Sequence, residues 1–257
     1  MNVKQLIQKL GMPYSEELGI DIKSCKQEEI AKWFLASILF AARIGESIAK
    51  NTYKEFEKSG IVTAAKISGT GWEDLVATLD AGGYVRYDFK TADKLLEVFG
   101  NLQKDYGGDL NRLHEKAEDS ADLEEKLKNL GKGIGDITVA IFLREMRFCW
   151  EKANPKPTPL VLEAMKNLGI KNLKDFAREN NLDIVRLETA LLRLSKNLCR
   201  KEKCRECPAK GLCFNPNLFW SHDSKCTFPI LTFLRYFFAA AQHSSACFLL
   251  VVGKSFM

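Results

Sequence analysis

Apolar side chains recur along this chain at intervals of three and four, the spacing that collects them on one face of a helix. Ile30, Phe34 and Ile38 stand four apart with Trp33 beside them, and they predict an amphipathic helix within residues 28–58 that leads into a second. Further helical segments are expected around Leu75 to Leu79 and Leu95 to Phe99, then over Leu123 to Leu130, Ile137 to Met146, Leu160 to Leu168 and Leu173 to Ala177. The stripe Ile184, Leu187, Leu191, Leu194 and Leu198 repeats by three and four and runs directly into a group of cysteines. Gly60, Gly69, Gly71, Gly82, Gly83, Gly107 and Gly108 punctuate these segments as turns between helices would. No alternating stretch is long enough to compete as a strand, so the expected fold class is all-α.

Composition narrows the picture only a little. With 257 residues, 46% of them hydrophobic, the chain can bury a substantial core. A formal charge of +5 permits a nucleic-acid partner without requiring one. The opening MNVKQLIQKLGMPYSEEL interleaves charged and apolar residues and lacks the continuous apolar run of a secretory signal, which points to a cytoplasmic location. Of the eight cysteines, Cys25 and Cys149 stand alone and read as small buried hydrophobes. Cys199, Cys204, Cys207 and Cys213 crowd together, and in a reducing compartment that density favours a metal over disulfides.

Beyond Cys213 the character changes. Residues 214–257 hold half of the phenylalanines and one acidic residue, Asp223. A membrane-associating hairpin is one reading, but the runs FPILTFL, YFFAAA and ACFLLVV fall far short of the roughly 20 residues a spanning helix needs. The other reading is an atypical apolar tail outside the core fold. No membrane contact is expected of residues 1–213.

The segment LKNLGKGIGDITVAIFLRE, residues 127–145, joins two predicted helices through Gly131, Lys132, Gly133, Ile134 and Gly135. Such a turn can bring main-chain N–H groups and the next helix N-terminus against a phosphate, because glycine removes the Cβ that blocks approach. Ile134 is expected to plug the turn into the core, with Lys132 and Thr138 adding polar contacts. A helix C-cap followed by a new helix would explain the glycines too. The segment resembles the helix-hairpin-helix of the endonuclease III superfamily of DNA glycosylases, whose pattern is leucine, proline, glycine, hydrophobic, glycine, two variable positions, threonine, alanine. Gly133, Ile134, Gly135 and Thr138 match it, and the leading Leu-Pro is absent. Residues 34–57 are similar to the family's second helix and following turn, and residues 81–110 to its glycine-tyrosine turn and the helix before the hairpin.

The resemblance covers residues 28–213 and implies the family's two-domain helical architecture. Residues 28–132 would form a six-helix barrel, and residues 1–27 with 133–213 an iron-sulfur helical domain carrying the hairpin at 121–146 and a cluster loop at 199–213. Four cysteines suit a 4Fe-4S cluster or zinc; structural zinc sites more often pair two Cys-x-x-Cys knuckles, and the family carries a 4Fe-4S cluster at this place. The spacing here is four, two, five, where the family has six, two, five, so the first loop is two residues shorter. Arg200, Lys201, Lys203 and Arg205 stand among the cysteines and could neutralise phosphates, or simply form a solvated basic surface.

The resemblance also says where chemistry would sit. The family's Schiff-base lysine corresponds to Ile137, which cannot act as a nucleophile. Its aspartate falls near residues 155–158, where the chain reads Pro155, Lys156, Pro157 and Thr158, and Asp136, Glu151 and Glu163 are the displaced substitutes. The base-flipping glutamine corresponds to Ala42, with Arg43 adjacent. Three functional expectations result. The first is a DNA-binding iron-sulfur protein acting in base-excision repair or damage recognition on duplex DNA, damaged or mismatched. The second is a monofunctional DNA N-glycosylase using a displaced carboxylate. The third is an iron-sulfur redox or structural protein that does not bind DNA.

Overall fold

The computed structural model describes residues 3–214, and among these the regular structure is entirely helical. In chain order the α-helices are α1 Val3–Leu10, α2 Tyr14–Glu17, α3 Gln27–Phe40, α4 Glu46–Lys58, α5 Ala64–Gly69, α6 Trp72–Ala81, α7 Asp88–Tyr106, α8 Leu110–Lys116, α9 Ser120–Lys128, α10 Asp136–Met146, α11 Pro159–Asn167, α12 Leu173–Glu179 and α13 Ile184–Asn197. The all-α expectation is met. The readings placed on the tail from residue 215 onward lie outside the described residues. No helix of the described residues is long and apolar enough to cross a membrane.

Short polar side chains set the helix starts. Thr63, Asp109, Asp119, Asn172 and Asp183 each precede a helix and accept a hydrogen bond from its first-turn N–H groups, so orphan donors are satisfied by the residue that begins the turn. Pro159 opens α11, where a missing N–H costs nothing.

Two apolar clusters organise the packing. The larger is built around α3, which is buried from Ile30 to Leu39 except at Lys32 and therefore serves as a central core helix. Phe34 meets Phe142 of α10 edge to face at 4.9 Å and Phe99 of α7 at 5.8 Å. The Trp33 indole N–H donates to the Phe142 carbonyl at 3.1 Å, which satisfies the one polar atom of a fully buried ring. Close approach of α4 and the end of α6 requires Gly82, where a Cβ would lie 2.3 Å from Thr52 Cα. The smaller cluster gathers Leu6, Val161, Ala164, Met165 and the α13 stripe Leu187, Leu191 and Leu194, with Ile184 and Leu198 partly buried against it. The helical period read for that stripe is the one observed.

Polar groups tie these parts together. Glu145, fully buried in the last turn of α10, accepts the backbone N–H groups of Tyr14 and Ser15, each at 3.0 Å. Arg193 of α13 donates to the carbonyls of Leu10 and Met12 at 3.0 and 2.6 Å and to Glu17 at 2.8 Å. Arg147, just past α10, pairs with buried Glu188 of α13 and donates to the Pro155 carbonyl at 3.1 Å.

Cys25 and Cys149 correct the sequence reading. They are half-buried and form a disulfide, with Cα atoms 5.5 Å apart across 124 residues. Each stands alone within its local window, so nothing in helical periodicity reveals a partner this distant. The bridge fastens the turn before α3 to the segment after α10 and closes a loop containing α3 to α10. Closing so long a loop removes about 4–5 kcal/mol of denatured-state entropy in the chain-entropy model. Cys25→Ser is expected to lower the urea midpoint accordingly, with reductant lowering the wild-type midpoint toward it. Equal midpoints for wild type under oxidising and reducing conditions would count against the bridge.

Candidate nucleic-acid interface and cysteine loop

The hairpin is assembled between α9 and α10 and braced from the side by α7. The amide of Asn101 donates to the Leu130 carbonyl at 2.8 Å, and Glu97 accepts the Lys132 N–H at 3.2 Å. The Ile134 N–H returns to the Gly131 carbonyl at 3.3 Å, and the Ile134 side chain is buried, as the sequence led one to expect. Gly133 has φ +85°, a left-handed conformation that a side chain strains against, and a Cβ there would also meet the Lys94 side chain. Gly135 has extended backbone and open space around it, so sterics do not require glycine at that position.

Helix α10 starts without a side-chain cap. Among the described residues, the N–H groups of Gly133, Gly135, Asp136 and Ile137 donate no hydrogen bond. All four belong to exposed residues at or just before a helix start, where unpaired N–H groups carry partial positive charge. Lys132 is exposed beside them, whereas Thr138, grouped with them by sequence, is buried at 3% exposure.

The residues at the family's chemical positions are arranged as follows. Ile137 is 51% exposed in the first turn of α10. Thr158 stands at the N-cap of α11 without making the cap bond, and its hydroxyl is buried with no partner among the described residues. Asp136 is exposed and pairs with Lys128 at 2.7 Å, whose hydrogen bond and charge hold its carboxyl below the usual range. Glu151 is exposed. Glu163 is engaged, accepting from the Ser195 hydroxyl at 2.9 Å and from Arg200 at 3.1 Å. Ala42 is partly buried against the large core, with Arg43 exposed beside it in the turn between α3 and α4.

The cysteine loop continues from α13 through three short 3₁₀ turns, Cys199–Lys201, Cys204–Glu206 and Lys210–Leu212. Its start is fixed by the Lys203 N–H donating to Leu198 O at 3.0 Å, and its end by the Phe214 N–H donating to Asn167 O at 2.7 Å. Ala209 is buried in the smaller core, so the loop wraps back on itself. All four thiols are free. Burial pushes the Cys199 thiol up to about 11, assisted by the neighbouring Cys207, Cys213 and Glu163. Burial likewise raises Cys207, with Cys213 and Cys204 adding to it. Thiols that raise one another in this way are electrostatic neighbours. As they stand, no group of three or more His, Cys, Asp or Glu side chains among the described residues is drawn together closely enough to hold a metal ion. Arg200, Lys201, Lys203 and Arg205 are exposed around the loop, and Arg200 is the one paired with Glu163. No hydrogen bond or ion pair joins hairpin to cysteine loop among the described residues.

Sequence reading missed the polar stripe of α7, although Lys94, Glu97 and Asn101 share one helix face by spacing. It also missed Glu46, which opens α4. Lys50 donates to Glu46 at 2.7 Å and Lys196 at 3.2 Å, and the Tyr14 hydroxyl donates at 3.1 Å. Its partners come from α2 and α13 as well as α4, so the sequence carries no local signal for it. No protein-family model matches this chain, and neither does any curated protein.

Burial pushes the Glu46 carboxyl upward, but the hydrogen bond from Lys50 and the charges of Lys196 and Lys50 outweigh that and hold it down at about 2. With the folded value below the unfolded one, the stabilisation is fully present above the ordinary glutamate range and is lost as pH falls toward 2. Glu46→Gln is expected to remove on the order of 2 kcal/mol at pH 7 and to flatten the loss of stability between pH 5 and pH 2, read from urea midpoints across that window. An unchanged acid limb would remove Glu46 from the account.

Proposed function

We propose that this chain is a DNA-binding iron-sulfur protein of the endonuclease III-like type, acting in base-excision repair or damage recognition, without strand-cleaving lyase chemistry. One observation carries the reading: a hairpin turned by left-handed Gly133 presents unpaired main-chain N–H groups at the uncapped start of α10. That arrangement suits a backbone phosphate, which needs several donors and no particular base. Exposed Lys132, Lys201, Lys203 and Arg205 supply positive charge of the kind that makes binding depend on salt.

Cys199, Cys204, Cys207 and Cys213 would hold the 4Fe-4S cluster. When bound, such a cluster supplies a compact inorganic cross-link whose charge is offset by the thiolates. The chain's own contribution is the support: α13 delivers Cys199, and burial of Ala209 with the Phe214 N–H bond holds the loop against α11.

Absence of lyase chemistry rests on Ile137, an exposed hydrocarbon where the family has its amine. A second reading, a monofunctional N-glycosylase, is favoured by Asp136. Of the three candidate carboxylates it alone stands at the head of α10 beside the unpaired N–H groups, and Lys128 keeps it ionised. An ionised carboxylate there could stabilise oxocarbenium character as a base departs.

Two measurements test the proposal on the full chain. Anaerobic reconstitution with iron and sulfide is expected to give broad visible absorption that Cys204→Ser abolishes. Fluorescence anisotropy with a short duplex is expected to show binding that weakens steeply with salt. No binding at low salt sinks the DNA reading and leaves the redox or structural one. Base release from a duplex carrying uracil, oxidised pyrimidines, alkylated purines or mismatched adenine, abolished by Asp136→Asn, would replace the non-catalytic reading with the glycosylase one.

A further inference from the structure

Three polar side chains of α7 lie along the face turned to the hairpin, at positions 94, 97 and 101. Two are accounted for by the loop itself. Glu97 accepts the Lys132 N–H, and Asn101 donates to the Leu130 carbonyl. Lys94 is different. Its stem lies against Gly133, where a Cβ would be 2.6 Å from Lys94 Cε and 3.1 Å from its Nζ. Among the described residues no hydrogen bond or ion pair partners its ammonium, although the group is half-buried.

A lysine held in this way loses hydration without gaining a counter-charge. Burial correspondingly pulls its pKa below the usual lysine value. The cost is tolerated where an anion arrives from outside, and Lys94 lies against Gly133, whose N–H is unpaired, two residues before the likewise unpaired N–H of Gly135. Bare Gly133 makes the approach possible, because any side chain there would occupy the space the lysine fills.

We infer that Lys94 is a phosphate-binding residue of the hairpin, delivered from α7 so that its ammonium and the loop N–H groups converge on one backbone phosphodiester of duplex DNA. The inference rests on the DNA-binding reading and adds a specific ligand to it. Neither the hairpin motif nor the basic cysteine loop contains this residue, which stands 39 positions before Gly133 in the chain.

The test uses the full chain, a short undamaged duplex and anisotropy titrations at several salt concentrations. For Lys94→Gln, affinity at low salt is expected to fall several-fold, and the slope of log K against log salt to shrink by about one, the loss of one neutralised phosphate. Lys94→Arg, which keeps the charge, is expected to keep the slope. A role confined to packing would leave the Gln slope at the wild-type value, and that result overturns the inference while leaving the DNA reading in place. Failure of wild type to bind at low salt overturns both. If the Gln variant does not fold, reductively methylated wild-type protein decides by NMR: the Lys94 pKa is expected to rise on adding duplex, and an unchanged value overturns the inference.

Discussion

A buried carboxylate at the end of α10 fixes the geometry on which everything else depends. Glu145 is fully buried, and α2 follows Pro13, which has no side-chain cap to offer the first amides of that helix. The two meet each other's need: Glu145 caps a helix 130 residues away, and the two N–H groups with Arg144 at 3.5 Å stabilise a charge whose burial is otherwise costly. Removing one partner from such a group typically costs about 3–5 kcal/mol, because the other is left buried and unpaired. The Tyr14 ring so positioned lies 4.3 Å from the Arg193 guanidinium and 5.5 Å from that of Arg144. Helix α10, which starts at the hairpin, is thereby locked to α13, which ends at the cysteines.

The same division of labour recurs at the hairpin. Its turn is stable because its groups have partners on α7 or within the loop: the Leu130 carbonyl, the Lys132 N–H, the Ile134 side chain. The groups left over are those at the tip and at the α10 start. Unsatisfied donors cluster at the solvent edge because burial elsewhere would cost about 1–3 kcal/mol each. Where the fold completes its hydrogen bonding it is scaffold, and where it stops it leaves unpaired donors on exposed residues.

The cysteine loop shows the complementary case. Its ends are fastened by backbone hydrogen bonds and by the burial of Ala209, while the thiols between them have no disulfide partner. The one disulfide among the described residues lies elsewhere, between Cys25 and Cys149, so these cysteines divide into a covalent brace and a group of free thiols. Glu163 and Arg200 link the loop to α11, which removes this carboxylate from the freely available groups.

Much of this was legible from residue order. The α13 stripe, the core position of Ile134 in the hairpin and the turn at Gly131 to Gly135 all follow from periods and backbone preferences acting within a few residues. The cysteine spacing likewise marks a common loop, because short chain segments cannot separate. Tertiary structure alone decided the Cys25–Cys149 bridge, the Glu145 cap on α2, the convergence of Lys50 and Lys196 on Glu46, and the placement of Lys94 against Gly133. Apart from Lys50 on Glu46, these join residues tens to more than a hundred positions apart, so they depend on where whole helices pack. Helical periodicity says which face of a helix turns inward; it does not say which other helix that face will meet.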